Sequence, residues 1–394
     1  MTIQILETDY AGTRRSLFWL ALKTSVLTVL TVGFYRFWAK TRVRRFYWSA
    51  IRPGGFPLEY TGTGVEKLMG FLVAVVFLAF YIGVLNLILM FISFSLLNDN
   101  FAAYFTSFIG IIPIYFYAQY RARRYVLART RWRGLRFGID AGAWGYSWRA
   151  MLHWLATILT LGFLLPRQLF CLEKFRIDRT WYGRERFTQE GNWRMLLKPA
   201  THYYVGLVLT LLAGIGGYFN ELMFTLFIVS IPWLLIGWVH LQINGFKVMA
   251  QHKRLGEFVT FRANPSTWRM IQIYLVGSLL IYLLLIAVAS VAIVVLIMLD
   301  QNIFSDGNFE ATFGVGNDGN QPLMFAGIAF LYFTMFIFIG VLGQLFITLP
   351  SMRHYAETLF IRDSHHLGQI RQRPRDEFAE AEGFADALDI GAAI

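Results

Sequence analysis

Three long stretches of this chain, residues 68–120, 199–246 and 270–352, contain no lysine or arginine, and all 36 basic residues lie outside them. Basic residues that flank membrane segments are retained on the cytoplasmic side. About 20 apolar residues cross the hydrocarbon, so each gap has room for two crossings. Each gap also has a polar break near its middle and reads as a helical hairpin. The first hairpin joins 68–97 and 101–120 through Asn98, Asp99 and Asn100, and the second joins 203–219 and 223–239 through Asn220 and Glu221. The third joins 271–299 and 324–349 through a loop that carries Asp300, Asp306, Glu310 and Asp318. Turns that are acidic or neutral face away from the cytoplasm. With 56% hydrophobic and 15% charged residues, the composition excludes a soluble chain, a disordered one and a small secreted scaffold. The single cysteine, Cys171, excludes an internal disulfide and a CxxC metal or redox site. The first ten residues have no basic start and no short apolar core, which predicts no removable signal peptide.

Two further apolar stretches fit a crossing badly. Residues 17–38 contain Lys23 and Arg36, and residues 151–165 are short; both have basic flanks at each end. Each is expected to enter and leave on the cytoplasmic side as a re-entrant or interfacial helix, the broken backbone being covered by surrounding protein. The alternative is that both cross as conventional spans. The two stretches also resemble each other. Thr28, Leu30, Thr31, Gly33 and Phe34 recur as Thr157, Leu159, Thr160, Gly162 and Phe163, which suggests an internal repeat. A shorter motif precedes each apolar unit: an alternating stretch, then small or turn-forming residues, then a helix start. FPLEYTGTG from Phe56 is its clearest copy, followed by LRFGIDAGA from Leu135, ERFTQEGNW from Glu185, EFVTFRANPSTW from Glu257 and ILETDYAGT from Ile5. These are expected to be short cytoplasmic strands or docking segments.

The run from Thr31 to Gly64, TVGFYRFWAKTRVRRFYWSAIRPGGFPLEYTGTG, resembles the signature of the YjgN-like bacterial inner-membrane proteins, a family whose domain has no assigned function. The resemblance rests on the LTxGxYxFWAK run, the RxRR(F/Y) cluster and the (F/Y)xGTG turn, and degenerate echoes extend it over most of the chain. It implies a multi-pass protein of the bacterial inner membrane and no particular reaction. It also suggests a membrane metallopeptidase as a neighbour or partner. The second copy departs from the pattern, with Leu164, Leu165 and Pro166 in the region of Tyr35, Arg36 and Phe37.

Polar groups inside apolar segments are the usual markers of a pathway. Lys23 and His153, at nearly matching places in the two awkward stretches, could line a polar cavity or sit at the headgroups. His240 and Asn244 share a helical face, and Asn86 and Gln344 are single polar residues deep in long spans, where interhelical hydrogen bonding is the commoner role. These six form the tentative substrate pathway. Arg42, Arg44, Arg45, Arg121, Arg123 and Arg124, interleaved with aromatics, are the candidate contacts for anionic lipid or a partner. The bland alternative is positive-inside anchoring with an aromatic belt. No reading module for nucleic acid accompanies the charge. HExxH, GxSxG and GxxxxGK[ST] are absent, so neither an enzyme nor a cofactor or metal is expected. His354, His365 and His366 lack convergent carboxylates, and the tail after Arg375 is acidic, with Asp376, Glu377, Glu380, Glu382, Asp386 and Asp389.

The expected fold is therefore an all-α polytopic membrane protein: three transmembrane hairpins, two re-entrant or interfacial helices and short cytoplasmic strand-like motifs. Its divisions are a first repeat over 1–130, a second over 131–253, a third hairpin unit over 254–369 and an acidic cytoplasmic tail over 370–394. A transporter or channel-like role is the leading expectation. A noncatalytic scaffold or partner subunit, binding anionic lipid or another membrane protein, is the alternative.

Overall fold

Ten short strands form one antiparallel sheet, and they overturn the all-α expectation. The computed structural model describes residues 5–97, 100–299 and 321–374. The acidic loop at 300–320 and the acidic residues after Arg375 lie outside the described residues. In chain order the strands are β1 (Leu6–Tyr10), β2 (Ile51–Pro53), β3 (Leu58–Tyr60), β4 (Thr130–Trp132), β5 (Leu135–Ile139), β6 (Thr180–Tyr182), β7 (Glu185–Gln189), β8 (Lys253–Leu255), β9 (Val259–Ala263) and β10 (Leu359–Arg362). The sheet order is β2-β1-β10-β9-β8-β7-β6-β5-β4-β3, so the two outermost strands are consecutive in the chain and joined by the turn at residues 54–57. The sheet is a nearly closed ring, an arrangement that leaves almost no exposed edge. Each of the five alternating motifs supplies one strand: β1, β3, β5, β7 and β9. The other five are runs of three or four residues, such as Lys253–Leu255, too short for a period of two to show in sequence.

Odd strands lead into helical inserts and even strands into tight turns, so in this antiparallel ring every insert leaves and returns through one rim. The turns Gly54–Gly55, Arg133–Gly134, Gly183 and Gly256 occupy the opposite rim, where positive φ values favour glycine. Alternation along the strands sets the two faces of the ring. Trp132, Tyr182, Phe187, Leu255, Val259 and Ile361 point inward and form one buried cluster. The segment after β10 completes it, with Leu367 buried against these residues and Ile370 packed beside them. The chain then crosses the rim, where the Arg184 amide donates to the Arg371 carbonyl at 2.9 Å. The Arg136 amide donates to the side-chain carbonyl of Gln372, also at 2.9 Å.

By its contacts the chain divides into two units. The first comprises residues 1–11, 40–267 and 354–394 and contains the whole ring; the second comprises 12–39 and 268–353. In the first, α2 (Arg36–Ala50) leads into β2; α3 (Gly64–Phe80), a π-helical turn (Tyr81–Leu85), α4 (Asn86–Leu97) and α5 (Asn100–Ala128) form the insert before β4. α6 (Ala143–Leu159) and α7 (Leu165–Ile177) form the next, and α8 (Thr201–Phe219) pairs with α9 (Phe227–Gln251). Glycine lets the last pair approach closely: a Cβ on Gly206 would meet the Leu234 backbone at 2.6 Å, and one on Gly237 the His202 backbone at 2.6 Å. In the second unit, α1 (Arg14–Leu30) packs against α11 (Gln321–Gly343), and α10 (Thr267–Leu299) brings Gly277 against the Phe346 carbonyl. Among the described residues, four helical stretches are long and apolar enough to cross a membrane: Thr201–Phe219, Glu221–Gln251, Thr267–Val291 and Ala329–Glu357.

Candidate functional site

Two polar clusters sit at the helical rim of the ring. The first is built from the signature motif. Thr63 caps α3, its hydroxyl accepting from the Glu66 amide at 3.2 Å. Glu66 directs its carboxylate away from the cap. It accepts from the Arg129 guanidinium at 3.1 Å and the Tyr125 hydroxyl at 2.9 Å, tying the start of α3 to the end of α5. Arg44 is buried, with its guanidinium 5.2 Å from the Tyr60 ring centre and donating to the Tyr60 hydroxyl at 3.3 Å. Lys67 is fully buried and lies 5.7 Å from the same ring. Arg45 donates to the Gly62 carbonyl at 2.8 Å, and the Trp48 indole to the Thr130 hydroxyl at 2.9 Å. A Cβ on Gly62 would strike the Tyr60 phenol at 2.5 Å, which accounts for the first glycine of the GTG turn. Buried cations held over aromatic faces retain part of the solvation they lost on burial.

The second cluster centres on Glu173 of α7. Its carboxylate accepts from Arg176 at 2.7 Å and from Arg123 of α5 at 3.5 Å. Burial opposes its charge, but Arg123, Arg176 and Lys253 outweigh burial and hold the carboxyl down at about 2. Burial likewise pushes the Lys253 ammonium below its ordinary range, and Glu173 offsets part of that shift. Beside it, Gln189 is buried and donates to the Met249 and His252 carbonyls at 3.1 and 3.2 Å, joining β7 to the end of α9.

The outer face of the ring has a different character. Arg52, Arg131, Arg136, Arg186, Arg254, Arg262 and Arg362 lie on it, one arginine on each of seven strands. Glu7, Asp9 and Glu59 share that face. Arg131 stands between Arg136 and Glu59, opposite a like charge on one side and an unlike charge on the other. Asp140 answers part of the charge, pairing with Arg186 at 2.7 Å and Arg373 at 3.4 Å.

The residues singled out from sequence scatter across these features. Among the candidate anion contacts, Arg42 and Arg45 are exposed, whereas Arg44 is buried under Tyr60. Arg121 donates to the Tyr117 hydroxyl at 3.0 Å, Arg123 belongs to the Glu173 cluster, and Arg124 is half-buried on α5. The six pathway candidates do not form one site within either unit. Lys23 is exposed on α1 in the second unit, and His153 is half-buried on α6 in the first. Gln344 opens a π-helical turn in the second unit, and Asn86 opens α4, its side chain outside the described residues. His240 and Asn244 meet: the amide of Asn244 lies 3.2 Å from the His240 ring and donates to the Thr267 hydroxyl at 2.9 Å. His202, which sequence reasoning missed, is 4.9 Å from His240 between ring centres. Sequence also missed Glu66, Arg129 and Glu173; the Thr63-x-x-Glu66 pattern of a capping box was the one available signal.

The turn after α6 holds Leu161 at φ 50° and Gly162 at φ 96°, and the turn after α1 holds Val32 at φ 51° and Gly33 at φ 89°. The hydrogen bonds match as well: the Gly162 amide donates to Thr157 and the Gly33 amide to Thr28, both at 2.7 Å. The first of these turns is latched to α8. Tyr203 donates to the Gly162 carbonyl at 3.2 Å and Tyr204 to the Phe163 carbonyl at 2.9 Å.

Among the described residues, no group of three or more His, Cys, Asp or Glu side chains is arranged to hold a metal ion. Comparison with known proteins gives one match. The model of a bacterial family, described as a bacterial protein of unknown function (DUF898), matches residues 6–387. No curated protein and no solved structure matches the chain.

Proposed function

The chain belongs to this bacterial family of unknown function, and from that premise we propose that it is a noncatalytic membrane scaffold whose strand ring receives an acidic segment of a partner protein. The observation that carries the proposal is the contrast across the sheet, with arginine on the outer face of seven strands and an inner face filled by Trp132, Tyr182, Phe187 and their neighbours. A filled interior is a core rather than a water path. Arginines spread around a wall suit a protein segment that wraps it, since a flat bilayer reaches only one side at a time; guanidinium also favours two-pronged carboxylate contacts. The lysine and arginine distribution supports an inner-membrane location with the ring on the cytoplasmic side. The exposed stem arginines, Arg42 and Arg45, suit anionic headgroups. A membrane protein with an acidic cytoplasmic segment, a metallopeptidase among them, is the partner class.

A photo-crosslinking amino acid placed at residue 131, 254 or 262 tests the proposal in intact membranes. The expected outcome is one crosslinked band from these outer positions, lost when the other two arginines are replaced by glutamine and weakened by high salt. Crosslinks of equal yield from the arginine-free and parent rings would overturn it.

The turn after α6 supports an interfacial rather than a spanning placement for α6 and α7. α8 is itself about one membrane thickness long, and the turn is fastened to its first helical turn through Tyr203 and Tyr204. The matching turn after α1 favours the same placement there and a common origin by duplication.

A transporter or channel-like role is the second reading, favoured by the grouping of His202 at the start of α8, His240 and Asn244 on α9, and Thr267 at the start of α10. It predicts that His240→Ala, Lys23→Gln or His153→Ala changes solute flux in proteoliposomes. Unchanged flux in all three, with the protein folded, would count against it.

A further inference from the structure

At the turn rim, away from both polar clusters, a cavity of about 330 Å³ opens between the β8–β9 turn and the segment that follows β10. Its size is near the lower end of the range for small-molecule sites, roughly 300–1,000 Å³. The floor is apolar, formed by Leu255 and Val259 of the ring core. One wall is aromatic: the rings of Phe258 and His366 are stacked 4.2 Å apart at 17°. Two carboxylates, Glu185 and Glu257, line it as well, with Gly256 of the turn and Gln369 and Ile370 of the segment after β10.

Glu185 is paired across the sheet with Tyr182, whose side chain is buried in the ring, so it extends along the inner face, toward the cavity. Its carboxylate rests over the β8–β9 turn, where a Cβ on Gly256 would come within 2.6 Å of it. Among the described residues, neither Glu185 nor Glu257 has an ion-pair partner. Two uncompensated carboxylates beside an aromatic face are complementary to one kind of guest: a cation that donates hydrogen bonds and has a short apolar arm. An anion would meet two like charges, and a neutral apolar guest would leave both carboxylates desolvated without a partner.

We infer that this cavity binds an alkyl ammonium or guanidinium group, its charge held between Glu185 and Glu257, its flat or methylene portion on the Phe258–His366 wall and its arm on Leu255 and Val259. The site is independent of the outer arginines and of the scaffold proposal. A free diamine-like metabolite or the side chain of a basic peptide could bring that group.

Calorimetric titration of the full chain in nanodiscs distinguishes these sources and tests the site, with agmatine as the free cation, acetyl-Gly-Arg-Gly-amide as the peptide and 1,4-butanediol as the uncharged control. Saturable binding of agmatine without binding of butanediol is expected, weakened on the order of tenfold by Glu185→Gln or Glu257→Gln at unchanged melting temperature. Binding of the peptide alone would support the same site and identify a protein side chain as the guest. Phe258→Ala, at an exposed position, supplies an independent arm and is expected to weaken binding several-fold. The inference is overturned if none of the charged probes binds, or if E185Q/E257Q binds them as tightly as the parent protein.

Discussion

On β4, Trp132 points into the ring and its neighbour Arg131 points out, and the same division repeats around the sheet. Most inward residues are aromatic or aliphatic and bury one another, with polar groups such as Glu185, Gln189 and Lys253 toward the rims. Outward, arginine is the commonest residue, with acidic partners for some. The comparison teaches that stability and recognition are carried by alternate residues of the same strands, so they should separate cleanly under mutation.

The largest effect is expected inside. Trp132 is buried, lies with its ring centre 5.6 Å from that of Tyr182 at a tilt of 37°, and donates from its indole to the Phe56 carbonyl at 3.2 Å. Trp132→Ala should cost about 3–5 kcal/mol, read as a large fall in melting temperature in detergent. A fall no larger than that of an outward substitution would break the comparison. Leu367→Ala removes a smaller piece of the same core and should cost about 2–4 kcal/mol, with increased proteolysis at the turn rim as an independent readout.

Glu173→Gln leaves Arg123 and Arg176 without their counter-charge and should cost on the order of 3 kcal/mol. The same residue sets an acid limit. Its carboxyl is lower in the folded protein, about 2, than its ordinary value of 4.5. The unfolded chain therefore binds the proton more readily as pH falls. The stabilisation from Glu173 is complete above about pH 5 and is lost as pH falls through about 4.5 toward 2. A plot of melting temperature against pH should lose its slope in that window in the Gln variant; an unchanged slope would show that other carboxylates dominate.

Outside the ring the effects shrink. Arg254 pairs with Glu190 at 3.1 Å, both about half exposed, and Arg254→Gln should cost under about 1 kcal/mol. Arg262→Gln should shift stability by no more than about 0.5 kcal/mol while reducing crosslinking to the partner. A large loss of stability there would mean that the outer face is structural after all.

Much of the helical organisation was legible because charge is so costly in hydrocarbon. The basic-free interval 199–246 contains α8 and most of α9, with the break near Asn220 and Glu221. Glycine at 33 and 162, noted in sequence as matching positions of a repeat, sits in a turn with positive φ in each case. The ring was only half legible. Five motifs alternated visibly, but their partners were strands of three or four residues lying within or beside basic runs, where local periodicity carries no signal and pairing depends on residues far apart. The buried cations were misleading for a related reason. Arg44 reads as surface charge in RVRRFYW, yet Tyr60, on a later strand, covers it. The segment after β10 gave no warning of its role, because Leu367 and Ile370 are isolated apolar residues in a polar stretch.

β1 pairs with β10, Leu6 opposite Ile361, so the earliest and latest strands of the ring sit side by side. A chain emerging from the ribosome cannot close this ring until β10 has been made, by which time every insert between β1 and β10 has been translated. Release of a fragment that stops short of residue 359 would leave β1 and β9 with unpaired backbone. Joining β1 to β10 thus makes closure of the ring wait on the latest of these strands.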